Sequence, residues 1–247
     1  MSSAIGRSLR LYHAPERRPA LDEFHRRFLA GGELGFDIGS HVGDRAASFL
    51  RLGARVVAVE PQPRLARALR LLFRGAPGFT LESTLIGASE GKATLRLNSA
   101  NPTVATASDA FIAAAEGAVG WEGQRWDREI TLPRTTLDAL IARHGMPHFV
   151  KIDVEGWEAE VLAGLSTAPR ALSFEFTTIQ RDVACAALDR MTALGHPGFN
   201  ACLGESMRWI FPAAVPAREM RDWLLALPAE ANSGDVYGST EPSRLAA

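Results

Sequence analysis

No segment narrows the possible folds of this 247-residue chain more than Leu34-Gly35-Phe36-Asp37-Ile38-Gly39-Ser40-His41-Val42-Gly43-Asp44. A short apolar run ends in an acid and then in glycines, and residues 45–52 continue as a helix. That is a strand, a tight turn and a helix start. Glycine is required where φ must be positive or where a ligand must come close to the backbone. A second apolar run, residues 55–60, ends in another acid, Glu60. Two acids at the tips of adjacent parallel strands, on either side of a glycine turn, form a nucleoside-binding arrangement. Glu60 is placed to accept hydrogen bonds from ribose hydroxyls, as acids do at this point of doubly wound folds.

Further along, strands and helices alternate. Strands are expected near 34–38, 55–60, 79–86, 148–153 and 171–176, with helices near 44–52, 63–73, 157–165 and 181–194. Such alternation predicts a parallel sheet with helices on both faces. Residues 92–97 and the pair Ile130 and Leu132 suggest additional strands, and Thr135 or Thr136 can cap a helix running to His144. Residues 199–203 and 207–211, separated by Gly204-Glu205-Ser206, read as an antiparallel hairpin, and residues 216–227 as a final helix. The chain divides into an N-terminal helical extension (1–33), a main domain (34–227) with an irregular insertion or lid (98–127), and a tail (228–247). Trp121 and Trp126 in the insertion fit a lid over the site or a local hydrophobic plug equally well. The tail, rich in Gly, Ser, Pro and Ala, reads as disordered or as a mobile flap, although Asp235-Val236-Tyr237 can fold over the site.

Composition excludes several classes. An apolar fraction of 47% suits a globular core, and 27 basic against 28 acidic residues give a net charge of −1. No general attraction to nucleic acid or to an anionic membrane is expected. Arg64, Arg67, Arg70 and Arg74 recur at helical spacing, as on a solvated helix face. Cys185 and Cys202 define no disulfide framework, the N-terminus carries no apolar leader, and no run reaches membrane-spanning length. A reduced, cytoplasmic protein is the simplest expectation.

Three motifs in order, residues 36–44, Val59-Glu60-Pro61 and Lys151-Ile152-Asp153-Val154-Glu155-Gly156-Trp157-Glu158, make the chain resemble the FkbM family of S-adenosylmethionine-dependent methyltransferases. The resemblance covers residues 34–176. It implies a class I methyltransferase: a Rossmann-like α/β three-layer sandwich, its seven-stranded, mostly parallel sheet closed by an antiparallel C-terminal hairpin. It implies methylation of a hydroxyl on a small molecule, a sugar, a glycan or another natural product. The cofactor-contacting set is then Asp37, Gly39, Ser40, His41, Gly43, Glu60, Pro61 and Ile86. In this set Asp37 faces the methionine ammonium, and Gly39 and Gly43 let the backbone lie against the cofactor. The following helix start offers donors to the carboxylate. Family members often carry an acid after strand three to meet the adenine amine. Here that position falls on Ala88, so backbone near Ile86 or the Ser89 hydroxyl would have to replace it.

Asp153, at the tip of the fourth strand, is the candidate catalytic base, with Glu155 in support. The competing reading gives both acids a structural role, holding the turn through backbone N–H groups. Lys151, inside an apolar strand, needs a carboxylate partner. Asp153, Glu155 and Glu175 could converge on magnesium through oxygen-only ligation, but the sequence assigns no metal ligand. His41 contacts cofactor or acceptor, or is merely an exposed turn residue. His144 and His148 lie at the wrong end of the strand for chemistry. Three rivals remain. A nicotinamide-dependent oxidoreductase would carry GxGxxG where this chain has Ser40 and His41 inside the turn. A non-catalytic cofactor-binding module and a nucleic-acid methyltransferase fit less well.

Overall fold

The computed structural model describes residues 4–247. Its central strands are apolar at nearly every position: β1 (Leu34–Ile38) and β7 (Phe149–Ile152) are buried throughout. Continuous apolar strands belong in a parallel sheet covered on both faces. With β2 (Arg55–Val59), β3 (Phe79–Glu82), β8 (Ala171–Thr177), β9 (Gly198–Leu203) and β10 (Ser233–Ser239) they form one seven-stranded sheet. The order is β3-β2-β1-β7-β8-β10-β9. The first five strands run parallel, and β10 is antiparallel to both its neighbours. The chain leaves β1 toward β2 on one side and later returns to β7 on the other. The order therefore reverses at β1, and the crevice at such a switch point is where this fold class binds ligands. In register, Asp37 lies beside Ala58 and Lys151, and Ile38 beside Val59 and Ile152. The residues that follow, the turn after β1, Glu60 and Asp153, must therefore emerge on one rim.

Alternate side chains feed two cores. One joins Phe36, Ile38, Val150, Ile152 and Phe174 to α6 (Leu137–His144), α7 (Glu158–Ala163), α8 (Arg181–Leu194) and α9 (Ala217–Ala226). The other joins Val56, Ala58, Phe149 and Tyr237 to α2 (Arg18–His25) and α3 (Asp44–Arg51). There Phe28 stacks on Phe149 at 4.6 Å. The Arg-bearing helix α4 (Pro63–Leu72) turns Leu65, Ala66 and Leu69 inward and leaves its arginines outside. The N-terminal extension, expected to be helical, contains α1 (Ala4–Tyr12) ahead of α2.

Three local expectations are corrected. The stretch 79–86 is two strands: β3 joins the main sheet, and β4 (Leu85–Ile86) joins a small sheet with β6 (Arg128–Thr135) and β5 (Gly91–Leu97). The C-terminal edge is antiparallel as expected, but β9 pairs with β10, not with residues 207–211, which contain no strand. Met207 takes a left-handed φ of 50°, which breaks the extended run. The tail is thus not loose, because β10 fills the slot between β8 and β9. Its glycines are demanded by close packing. A Cβ on Gly234 would lie 2.2 Å from the Cys202 carbonyl oxygen, and one on Gly238 2.4 Å from Met191 Cε.

The insertion carries α5 (Asp109–Ala115) and a core of its own, Val104, Phe111, Ala115 and Trp121. Trp126 Nε1 donates to the Val104 carbonyl at 2.7 Å. Trp126 thus plugs the insertion, while Trp121 also borders the cleft described below. Among the described residues no helix is long and apolar enough to cross a membrane.

Candidate active site

The rim at the carboxyl ends of β1, β2, β7 and β8 opens into a cavity. Of the residues singled out in the sequence, Asp37, Gly39, Ser40, His41, Glu60, Pro61, Ile86, Asp153 and Glu155 all line it. The turn is built by its backbone. The N–H groups of Gly39 and Ser40 both donate to the Val59 carbonyl at 2.9 Å, and the Ser40 hydroxyl donates to the Asp37 carbonyl at 2.7 Å. Gly39 holds a φ of +83°, and His41 a strained +48°.

Gly43 departs from the expectation. It is not part of the cavity wall. It sits behind the turn as the N-cap of α3 with φ +77°, and a Cβ there would come within 2.7 Å of both Leu69 and Phe73. Its missing side chain lets α4 pack against the helix start. The α3 terminus is likewise occupied from within, since the Ala46 N–H donates to Asp37 Oδ2 at 3.2 Å. Asp37 both caps the helix and borders the cavity.

Glu60 is 2% exposed. Its Oε2 accepts from the His41 N–H at 2.9 Å and its Oε1 from the Gln62 N–H at 2.8 Å. Burial, opposed by those two bonds, pushes its pKa to about 8. Burial and the nearby Asp44 push Asp37 to about 7. Among the described residues no lysine or arginine pairs with Glu60, so each oxygen keeps a lone pair for a donor arriving in the cavity. Thr84, Leu85, Leu95 and Trp157 supply the remaining, mostly apolar wall on that side.

The other half of the rim is strongly charged. Lys151 Nζ donates to Asp153 Oδ2 at 3.1 Å and to Asp235 Oδ1 at 2.8 Å. The carboxylate partner expected for Lys151 is therefore a pair of acids, one from the tail strand. Burial lowers the affinity of Lys151 for its proton, but these acids outweigh it and hold the ammonium charged. Burial likewise raises Asp153, and Lys151, a hydrogen bond with Glu175 and Arg45 together bring it below the ordinary value. Glu155 and Glu175 are raised well above theirs by burial and by the acids around them. Asp153, Glu155 and Glu175 each offer an oxygen, all within 4.8 Å of one another. Glu155 stands at φ +55°, and its carbonyl accepts from the Thr106 hydroxyl at 2.6 Å.

Past these acids lies a second, connected chamber bordered by Asn101, Trp121, Gln124, Asn232, Glu205 and Asp235. Sequence reasoning missed Tyr12 and Glu205, which border both chambers, and Arg45, which lines the first. Buried Arg45 pairs with Asp44 and bonds both oxygens of Glu205, at 2.7 and 2.6 Å. Tyr12, its pKa pushed to about 12 by burial and by Glu205, meets His41 edge-on at 5.4 Å. His41 is thus enclosed between Tyr12 and the insertion, with Nε2 3.5 Å from Thr103 Oγ1. Neither His144 nor His148 is among the residues that line the cavity. His144 Nε2 is 2.7 Å from Glu82, and His148 Nδ1 accepts from the Leu34 N–H at 3.3 Å.

With this geometry in place, the chain was compared with known proteins. It matches the model for the methyltransferase FkbM domain over residues 37–225. No curated protein matches it. Among solved structures it is similar to precorrin-6y C5,15-methyltransferase from Geobacter metallireducens GS-15, at 13% identity and TM-score 0.43, covering 90% of this chain and 86% of that one. It is also similar to a SAM-dependent O-methyltransferase from Thermotoga maritima, at 11% identity and TM-score 0.41, covering 90% and 64%. A third is Aeropyrum pernix fibrillarin in complex with S-adenosyl-L-methionine, at 12% identity and TM-score 0.40, covering 86% and 68%. The family match spans most of the chain and contains the turn, both acidic strand tips and the Lys151–Glu158 block: the chain belongs to the FkbM family of S-adenosylmethionine-dependent methyltransferases.

Proposed function

We propose that this protein transfers a methyl group from S-adenosylmethionine to a hydroxyl of a small molecule, sugar or other natural product, with Asp153 as the base. The observation that carries the reading is the meeting of Asp37, Glu60 and Asp153 on one cavity.

The residues present fit the cofactor. Glu60 is a buried carboxylate with unused lone pairs and no cation, which suits a ribose diol. Asp37 offers a carboxylate to an ammonium. Gly39, Ser40, His41 and Pro61 form the floor, and Ile86 with Leu85, Leu95 and Trp157 makes an apolar slot for a flat base. Ala88 stands outside this wall, so backbone near Ile86 serves the adenine. When bound, S-adenosylmethionine supplies an electrophilic methyl on a sulfonium.

The rest is done by the chain. Asp153, ionised because of Lys151, accepts a hydrogen bond from the acceptor hydroxyl and takes its proton as the oxygen becomes nucleophilic. Lys151 and Asp235 fix the orientation of that carboxylate. Glu155 closes the turn beside it. The second chamber, walled by amides, carboxylates and Trp121, receives the acceptor. Its polar, donor-seeking lining favours a polyhydroxylated compound over an anionic one.

Calorimetric titration with S-adenosylhomocysteine and with nicotinamide dinucleotides tests the cofactor assignment. Micromolar binding of the first and none of the second is expected, and the reverse overturns it. Release of S-adenosylhomocysteine on incubation with a panel of hydroxylated acceptors tests the transfer.

A further inference from the structure

The geometry points to a divalent-cation site formed by Asp153, Glu155 and Glu175, at the junction of the two chambers. The three acids come from the tip of β7, the following turn and β8, and all three border both chambers. One oxygen of each lies within 4.8 Å of the others.

Proximity of acids alone would not make a site. The decisive observation is where hydrogen bonds are missing. Glu155 is only 6% exposed, yet among the described residues its carboxylate accepts no hydrogen bond; only its backbone carbonyl is engaged. Glu175 Oε2 is enclosed and likewise accepts from no N–H or hydroxyl; Glu175 faces the Asp153 carboxyl, to which it can hydrogen-bond only by carrying a proton that a cation would displace. An enclosed carboxylate oxygen without a donor, such as Glu175 Oε2, is costly, and the largely buried Glu155 faces the chambers with no protein donor to its carboxylate. The nearby acid Glu158 shows the contrast, since its Oε1 accepts from the N–H groups of Val154 and Gly156.

The nearby cations do not fill the gap. Lys151 Nζ is engaged by Asp153 and Asp235, and Arg45 by Asp44 and Glu205. A bound cation would satisfy the orphaned oxygens of Glu155 and Glu175 together. An all-oxygen set selects a hard ion such as Mg²⁺, Mn²⁺ or Ca²⁺ over Zn²⁺. Three protein ligands leave coordination positions open toward the chambers for water or for an acceptor oxygen. There the ion would hold a hydroxyl in place and ease its deprotonation. That last role rests on the methyl-transfer reading; the binding itself does not.

The test uses the full chain, stripped with chelator and titrated with Mn²⁺ by electron paramagnetic resonance. One saturable ion per chain is expected, displaced by Mg²⁺ or Ca²⁺. Glu155→Gln and Glu175→Gln should each weaken Mn²⁺ binding at least tenfold. Glu60→Gln, outside the group of three acids, should leave Mn²⁺ binding unchanged while weakening S-adenosylhomocysteine. A rise in thermal midpoint with Mg²⁺, present in the parent protein and absent in Glu155→Gln, gives a second readout that folding defects cannot mimic. Absence of saturable binding, or binding that both glutamine variants retain in full, overturns the site. S-adenosylhomocysteine affinity measured in chelator is a separate readout, so failure of the cation site and failure of the cofactor assignment are told apart.

Discussion

Gly39 packs so closely on Asp153 that a Cβ added to it would lie 1.8 Å from the Asp153 carbonyl oxygen. The turn after β1 and the tip of β7 are therefore one unit, joined without a side chain between them. Gly39→Ala must move backbone rather than a flexible chain end, and it must also hold φ near +83°. The substitution should destabilise the fold by about 3 kcal/mol or more and disrupt cofactor binding with it. Urea unfolding monitored by circular dichroism checks the first effect, and calorimetry the second.

Removing Glu60 separates binding from chemistry. Glu60→Ala should weaken S-adenosylhomocysteine by about 1–3 kcal/mol, the worth of hydrogen bonds to a charged group. Unchanged affinity would remove Glu60 from the ribose role.

The same acids give binding a pH signature. Free, Asp37 holds its proton to about pH 7 and Glu60 to about pH 8. An ammonium beside Asp37 and hydroxyl donors on Glu60 favour the ionised carboxyls. Binding should therefore release protons below pH 7, release fewer as the pH rises through 8, and release none above about pH 9. Calorimetry in buffers of different ionisation enthalpy counts them. Release that does not vary across this range would contradict the placement.

Asp153→Asn keeps the shape of the rim and removes the proposed base. Turnover should fall on the order of a hundredfold or more, with S-adenosylhomocysteine affinity nearly intact. A variant with parental turnover would leave Asp153 a structural role only.

His25 predicts an acid limb in stability. It is buried between Phe24, Phe49 and Phe149, with Nδ1 2.9 Å from the Ser48 hydroxyl. Burial, with Arg45 adding to it, lowers its pKa from 6.5 to about 3. The folded state thus keeps His25 neutral while the unfolded chain gains a proton below pH 6.5. The penalty is absent above that pH and grows as pH falls toward 3, by up to about 1.4 kcal/mol per unit. Between pH 7.5 and 5, His25→Gln should gain about 2 kcal/mol relative to the parent. Denaturant midpoints at the two values measure it, and parallel pH profiles would exclude His25 as the source.

The parts of the fold that were readable in the sequence are those where one physical demand dominates. β1, its turn and Glu60 were clear because apolar runs, an acid and glycines leave few alternatives. The convergence of Asp37, Glu60 and Asp153 then follows from parallel strands ending at one rim. Elsewhere a residue type answers to two demands. Gly43 looked like a place for a ligand to approach, but its lack of a side chain serves the packing of α4. Gly234 and Gly238 gave the tail a loop-like composition, although steric crowding inside a sheet is what selects them. Ser83 and Thr84 hid a break, so two strands of different sheets read as one. Arg45, Glu205 and Tyr12 meet only through tertiary folding, and no local pattern marks them.

The position of β10 has a consequence for biosynthesis. The slot between β8 and β9 stays open until residue 239 has left the ribosome, and until then Lys151 lacks one of its two acids. A nascent chain can build the half of the sheet around β1 early, but the rim that holds Lys151 and Asp153 is complete only once β10 has emerged. Stalled or truncated products ending before β10 would expose two unpaired strand edges, which makes them natural clients for chaperones.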